Sequence, residues 1–274
     1  VNGKSSALMG RNRAAALEQL PADGIERIEV ITNPSAKFKP DGTAGIINLV
    51  LKRKQTPGYS ASVRANAGNG DRYNVSGTVN YNPGRFNVYG TFGLRQDERV
   101  REGHESRLFP DPVTGATLAT VQSTNEQARP LSRLAQTGID YTPVEGTTLG
   151  ATFNYNYRDF RRTAVQRNTT RDANSAVISD YERRRDDPEF EEDIEFGASL
   201  SRAFAAEGRE LSLEVKRGRT TEEENNRYTN SYFSTAIAAT SDRTLIHMRE
   251  DSTEASADYV HPLGRDAKLE AGYS

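Results

Sequence analysis

Three histidines, His104, His247 and His261, are the imidazoles this 274-residue chain could offer a metal, and it has no cysteine to join them. Metal sites draw ligands from short patterned spacings or from cysteine frameworks. These three lie far apart in sequence and in no motif, so they read as surface histidines and no metal site is expected. The runs "RRRDDPEFEED" (183–193) and "EEE" (222–224) could bind cations or phosphates. Within segments that read as loops, they are better explained as solvated loop faces. Asn168-Thr169-Thr170 fits a glycosylation acceptor pattern. No nucleophile stands beside a base and no glycine-rich phosphate loop is present, so the reading is of a non-enzyme with no catalytic residues and no cofactor.

The elements that carry these residues have an unusual composition: 35% apolar and 27% charged, with mean hydropathy −0.75. No run approaches the ~18 apolar residues of a spanning helix. A membrane β-barrel stays open, because only alternate residues of its strands face lipid. A net charge of −2 argues against a nucleic-acid partner. The balance is uneven, with 9 Lys/Arg against 5 Asp/Glu in residues 1–54 and 27 against 33 in the rest. The opening "VNGKSSALMG" lacks the apolar core of a signal peptide. The closing "KLEAGYS" stops within an alternating run. Both ends read as cut, as in an internal piece of a longer protein.

From Tyr59 onward the hydrophobic period is two. Tyr73, Val75, Gly77, Val79 and Tyr81 share one face of a strand over 72–82; Phe86, Val88, Gly90, Phe92 and Leu94 do so over 85–95. Leu149, Ala151, Phe153, Tyr155 and Tyr157 share a face over 148–158. Weaker copies occupy 194–200, 210–216, 254–260 and 268–274, and strands over 59–67 and 133–142 complete the set. Short turns, "NPG" (82–84), "TPVEG" (142–146), "AAEGR" (205–209) and "HPLGRD" (261–266), alternate with long polar stretches near 96–130, 159–192 and 218–250. These long stretches are expected to be irregular loops at one end. Long strands with short turns at one end and long loops at the other favour an outer-membrane barrel. A soluble β-sandwich or up-and-down barrel is the alternative. Tyr73, Tyr81, Tyr155, Tyr157, Tyr259 and Tyr273 would then form interfacial girdles, or cross-strand pairs in a soluble sheet.

The first 54 residues differ. "NRAAALEQL" (12–20) favours a short helix, "IERIEVIT" (25–32) and "IINLVLK" (46–52) favour strands, and Asn33-Pro34, Asp41-Gly42 and Gly45 mark turns between them. Gln55-Thr56-Pro57-Gly58 reads as a hinge.

The stretch "IERIEVITNPSAKFKPDGTAGIINLVLKRK" resembles the end of the plug domain of TonB-dependent outer-membrane receptors. The resemblance rests on Ile25 to Val30, then Asn33, Pro34, Ser35 and Ala36, then Gly42, Gly45, Ile46, Ile47 and Asn48, and the closing Lys52-Arg53-Lys54. It departs from the commonest form, lacking an Arg-Gly-Pro start and an aromatic-Gly segment. It looks more like the branch called outer-membrane β-barrel family proteins.

The resemblance implies a fold that is mainly β: a transmembrane antiparallel β-barrel preceded by the C-terminal part of a small α/β plug domain. Residues 1–54 would be plug, 55–58 hinge, and 59–274 the first part of a barrel of about 22 strands, of which about nine are present. Nine such strands are expected to form an open curved sheet. The resemblance further implies uptake of a scarce solute of siderophore, cobalamin or glycan type. Coupling would run to the inner-membrane TonB complex through an energy-coupling box upstream, in contact with outer-membrane lipid. Glu26, Arg27 and Glu29 become candidate charges between plug and barrel, or a solvated strand face. An adhesin or signalling receptor on the same scaffold is the alternative function. In a bacterial outer membrane the glycosylation pattern carries no meaning.

Overall fold

The computed structural model describes residues 25–31, 46–51, 57–205, 208–234, 236–263 and 267–273. The expected helix over 12–20, and Asn33, Pro34, Ser35, Ala36, Gly42 and Gly45, lie outside these residues. Strands β1 (Ile25–Ile31) and β2 (Ile46–Leu51) form a two-stranded antiparallel sheet. Val30 pairs with Ile47, and Glu29 with Asn48.

All other described strands belong to one antiparallel sheet. They are β3 (Gly58–Gly68), β4 (Arg72–Asn82), β5 (Phe86–Gln96), β6 (Arg99–Pro110), β7 (Thr117–Tyr141), β8 (Thr147–Arg171), β9 (Val177–Ala203), β10 (Glu210–Tyr232), β11 (Thr240–Pro262) and β12 (Lys268–Tyr273). Chain neighbours pair, except that β5 and β6 both pair with β7. The order β12-β11-β10-β9-β8-β7-β5-β4-β3 leaves the sheet open, with β3 and β12 at its edges among the described residues.

The expected irregular loops near 96–130, 159–192 and 218–250 are corrected. These segments are strand. β7 and β8 run for 25 residues each, β9 for 27, and β10 and β11 for 23 each. The sequence signal fails there because both faces become polar, so hydrophobic alternation disappears while the ladder continues. Cross-strand ion pairs replace apolar contacts between β8 and β9: Arg158–Glu191 at 2.9 Å, Arg162–Asp187 at 3.0 Å and Arg167–Asp180 at 2.6 Å. Among the described residues of these segments, irregular chain is confined to the break at 97–98, tight turns at 111–116 and 172–176, and the connection beyond Tyr232. Each of the two turns is closed by an aspartate. The Asp111 carboxylate accepts from the Val113 and Thr114 amides at 2.7 and 2.9 Å, and that of Asp172 from Asn174 and Ala176 at 2.9 and 2.8 Å. Those hydrogen bonds hold the Asp111 carboxyl below the usual carboxylate range. The long segments do rise from one end of the sheet, as expected.

β6 is a continuation of β5. Gln96 pairs with Leu131, Arg99 pairs with Ala128, and the register is unchanged between them. The interruption falls opposite Pro130, whose carbonyl accepts from the Asp97 amide at 3.1 Å but which has no N–H to return. The neighbouring hairpin, β3–β4, turns back at 69–71, so β6 pairs with β7 alone.

The turn at 142–146 depends on Gly146. Its φ is +76°, and a Cβ there would sit 2.5 Å from the Ala203 carbonyl oxygen. Gly146→Ala therefore meets both a disfavoured backbone conformation and a main-chain clash. It is expected to cost about 1–3 kcal/mol, read as a lower urea midpoint for the folded protein in lipid vesicles.

The two faces of the sheet are inverted relative to a water-soluble protein. Val63 is 80% exposed, Phe196 57% and Val215 52%, whereas Gln136, Asn156, Asp193, Glu195 and Lys216 on the opposite face are all at or below 8%. Register carries the apolar face across the sheet: Ile139 beside Ala151, Ala151 beside Ala198, Ala198 beside Val215, and Val215 beside Ala255.

Candidate binding wall above the apolar band

On β4, β5 and β8 the apolar face lasts about nine residues, as over 149–157 of β8, which matches the ~9–11 residues of a tilted membrane-spanning strand, and it is shorter on β9, β10 and β11. Aromatic rings mark its limits. Phe86 stacks on Tyr141 at 4.5 Å near the short-turn end, and Tyr157 stacks on Phe190 at 6.3 Å at the other. Tyr81 is 52% and Tyr273 81% exposed, as residues facing lipid headgroups would be. Beyond Tyr157 the strands leave the band and continue for about a dozen residues, or ~40 Å at ~3.3 Å per residue.

The inner face keeps its character through this transition. Within the band, Asn154 donates to Glu195 at 2.9 Å, and Asp193 accepts from Asn156 at 3.3 Å and Thr220 at 2.6 Å. Above it, alternate residues of "RRRDDPEFEED" point inward: Arg183, Arg185, Asp187, Glu189 and Glu191, joined by Arg158 and Arg162 of β8 and Tyr228 of β10. Asp187 has no exposed surface and accepts from Arg162 at 3.0 Å and Arg185 at 2.8 Å through one oxygen. Its other oxygen, the Nε of both Arg183 and Arg185, and the Asn226 side-chain carbonyl have no hydrogen-bond partner among the described residues. The register places Asn226 across from Asp187, since Glu224 pairs with Glu189 and Arg227 with Asp186. The guanidiniums of Arg183 and Arg185 lie 4.4 and 5.3 Å from the Tyr228 ring centroid. Glu189 is held above the usual carboxylate range, first by burial and then by Glu224 directly opposite, against the pull of Arg162 and Arg158.

The runs 183–193 and 222–224, expected as solvated loop faces, are instead strand, on β9 and β10. Every second residue of 183–193 is turned into a paired, largely inward face, and the charges stay in register with partners on β8 and β10. Strict alternation of the inward set, with Pro188 in the outward one, was the available signal. The wall presents guanidinium donors, carboxylate acceptors and tyrosine rings side by side, which suits a polar solute carrying both donors and acceptors.

The other candidate residues are placed as follows. Arg27 bonds both Glu26 (2.9 Å) and Glu29 (2.8 Å) on its own strand; Glu26 and Arg27 are exposed and Glu29 is half-buried. Ile46, Ile47 and Asn48 lie on β2. His104 is on β6, and His247 and His261 are at different levels of β11. His247 stands 3.9 Å from Glu223, and His261 takes a 3.2 Å hydrogen bond with the Tyr259 hydroxyl. Among the described residues no group of histidines and carboxylates could hold a metal.

An antiparallel meander with an exposed apolar belt of bilayer height, aromatic rims and a buried polar face is the wall of an outer-membrane β-barrel protein. A family model agrees: that of the outer membrane protein beta-barrel family matches residues 202–274, from the end of β9 through β12.

Proposed function

We propose that this protein is an outer-membrane receptor that takes up a scarce solute, with β1–β2 as the end of a plug domain moved by the inner-membrane TonB complex. The observation that supports it most is the inner wall of β8–β10. The same polar, buried face that lines the sheet at membrane depth continues above the bilayer as a paired array of Arg, Asp, Glu and Tyr. A solute captured there would face a continuous hydrophilic path to the lumen. The plug, resembled by residues 25–54, would block that path until pulled. Balanced charge on the wall selects no one cargo among siderophore, cobalamin and glycan.

Cells carrying the full-length protein should accumulate its radiolabelled solute, and deletion of TonB should abolish accumulation while leaving surface binding intact. Accumulation that persists without TonB would sink the proposal. The second reading, an adhesin or signalling receptor, is favoured by the height of the hairpins, which carry their tips well clear of the bilayer. It predicts surface binding with no accumulation in either strain.

A further inference from the structure

On the outer face of β10 and β11, the apolar band gives way to arginines. Val215, 52% exposed, is followed on the same face by Arg217, which pairs across β9 with Phe196. Arg217, Arg219 and Arg249 converge on one carboxylate. Arg219 Nε donates to Asp251 at 2.9 Å, Arg249 Nε at 3.0 Å, and Arg217 Nη2 reaches it at 3.4 Å while its Nη1 donates to Thr253 at 2.6 Å. Three positive charges around one negative leave a surplus of two, and the arginine side chains stay 57%, 48% and 52% exposed. The next acidic side chains on this face are Glu223 of β10 and Glu192 of β9, which pair with His247 and Tyr157 across their ladders.

The same boundary on β7 and β8 repeats the pattern. Arg133 lies over the Tyr157 ring at 5.4 Å. Arg129 and Arg161 are directly opposite each other, a like-charge pairing that destabilises a bare ladder, with Glu98 and Asp159 beside them at 3.2 and 3.6 Å. Guanidinium forks match phosphate geometry and tolerate partial desolvation.

We propose that the Arg217–Arg219–Arg249 cluster is a docking site for phosphate-bearing headgroups of the outer-leaflet lipid. The site is continuous with the lipid-facing belt, begins where the apolar side chains of β10 and β11 stop, and carries the charge complementary to phosphate. It sits on the end of the strands with the long hairpins, which is the extracellular end of such barrels. It concerns the lipid rather than the transported solute, and stands whether or not uptake is TonB-coupled.

The test uses the full-length protein reconstituted in vesicles containing a bisphosphorylated outer-leaflet lipid, the same lipid dephosphorylated, or neutral lipid with added inorganic phosphate. Bound lipid per protein and the unfolding midpoint are measured. Near an anionic surface each arginine contributes about fivefold in affinity. The triple variant Arg217→Gln, Arg219→Gln, Arg249→Gln should therefore bind the phosphorylated lipid on the order of a hundredfold more weakly. Asp251→Asn should bind it about fivefold more tightly, an opposite change that misfolding would not produce. The proposal is overturned if the triple variant retains the lipid, if dephosphorylated lipid binds equally, or if inorganic phosphate protects as well as the lipid does. It is equally overturned if Asp251→Asn fails to tighten binding.

Discussion

Ala198→Arg is expected to prevent stable assembly in the membrane, while Asn154→Arg, across the sheet on the other face, is tolerated. Ala198 lies mid-band on the outward face, between Ala151 of β8 and Val215 of β10. An arginine there must enter hydrocarbon at a cost of about 2–4 kcal/mol near the midplane, which is roughly a thirty- to thousandfold loss in the folding equilibrium. Asn154 faces inward and already donates to Glu195 at 2.9 Å, so a guanidinium in its place finds a carboxylate and a polar lumen. Heat-modifiable gel migration and urea unfolding in lipid vesicles read both variants. The pair also separates the membrane barrel from a soluble sheet. In water, a charge at an exposed alanine changes stability by only about ±0.5 kcal/mol, so Ala198→Arg would be harmless. Folding of Ala198→Arg on a par with Asn154→Arg would mean that the assignment of the two faces is wrong.

This contrast also marks where the sequence was legible. The period-two runs over 72–82, 85–95 and 148–158 revealed strands because one face meets lipid and the other water, and that difference is written in alternate residues. Above the band both faces meet water. Thr163, Gln166, Arg167 and Thr169 carry no hydrophobic alternation, yet the ladder continues because main-chain hydrogen bonding needs none. Residues 159–192 therefore looked like loop. The inner wall was hidden for the same reason: Arg183, Arg185, Asp187 and Glu189 are ordinary surface residues in type. Only register turns them inward together, and register between β8, β9 and β10 is a long-range property. Pro130 was a local clue of the other kind, a residue that must interrupt the ladder and does so between β5 and β6. The lipid-facing tyrosines were legible because aromatic residues at the ends of alternating runs mark an interface directly.

Asp187→Asn is expected to loosen the upper hairpins without releasing the sheet from the membrane. The carboxylate has no exposed surface and holds Arg162 at 3.0 Å and Arg185 at 2.8 Å. Neutralising it leaves two guanidiniums close together without the charge they share, and breaking a buried pair in this way costs about 3–5 kcal/mol. Arg162 can turn partly to Glu189, 3.8 Å away. Among the described residues, Arg185 has the Tyr228 ring, at 5.3 Å, on its other side. The loss is local because the band below is anchored by lipid contact and by its own ladder. Hydrogen exchange should therefore quicken in 158–167 and 180–191 while amides in 149–157 and 194–200 stay protected, and proteases should cut at the 172–176 turn. Replacing all three groups by apolar ones, Asp187→Leu with Arg162→Met and Arg185→Met, should restore most of the protection, since no charge of the triad is then left unpaired and Glu189 keeps Arg158 nearby. Under the proposed function, such a rescued wall would be rigid yet would no longer bind a polar solute. Uptake lost in the triple variant despite restored protection would tie the charges to recognition, and uptake retained would confine them to holding the hairpins upright.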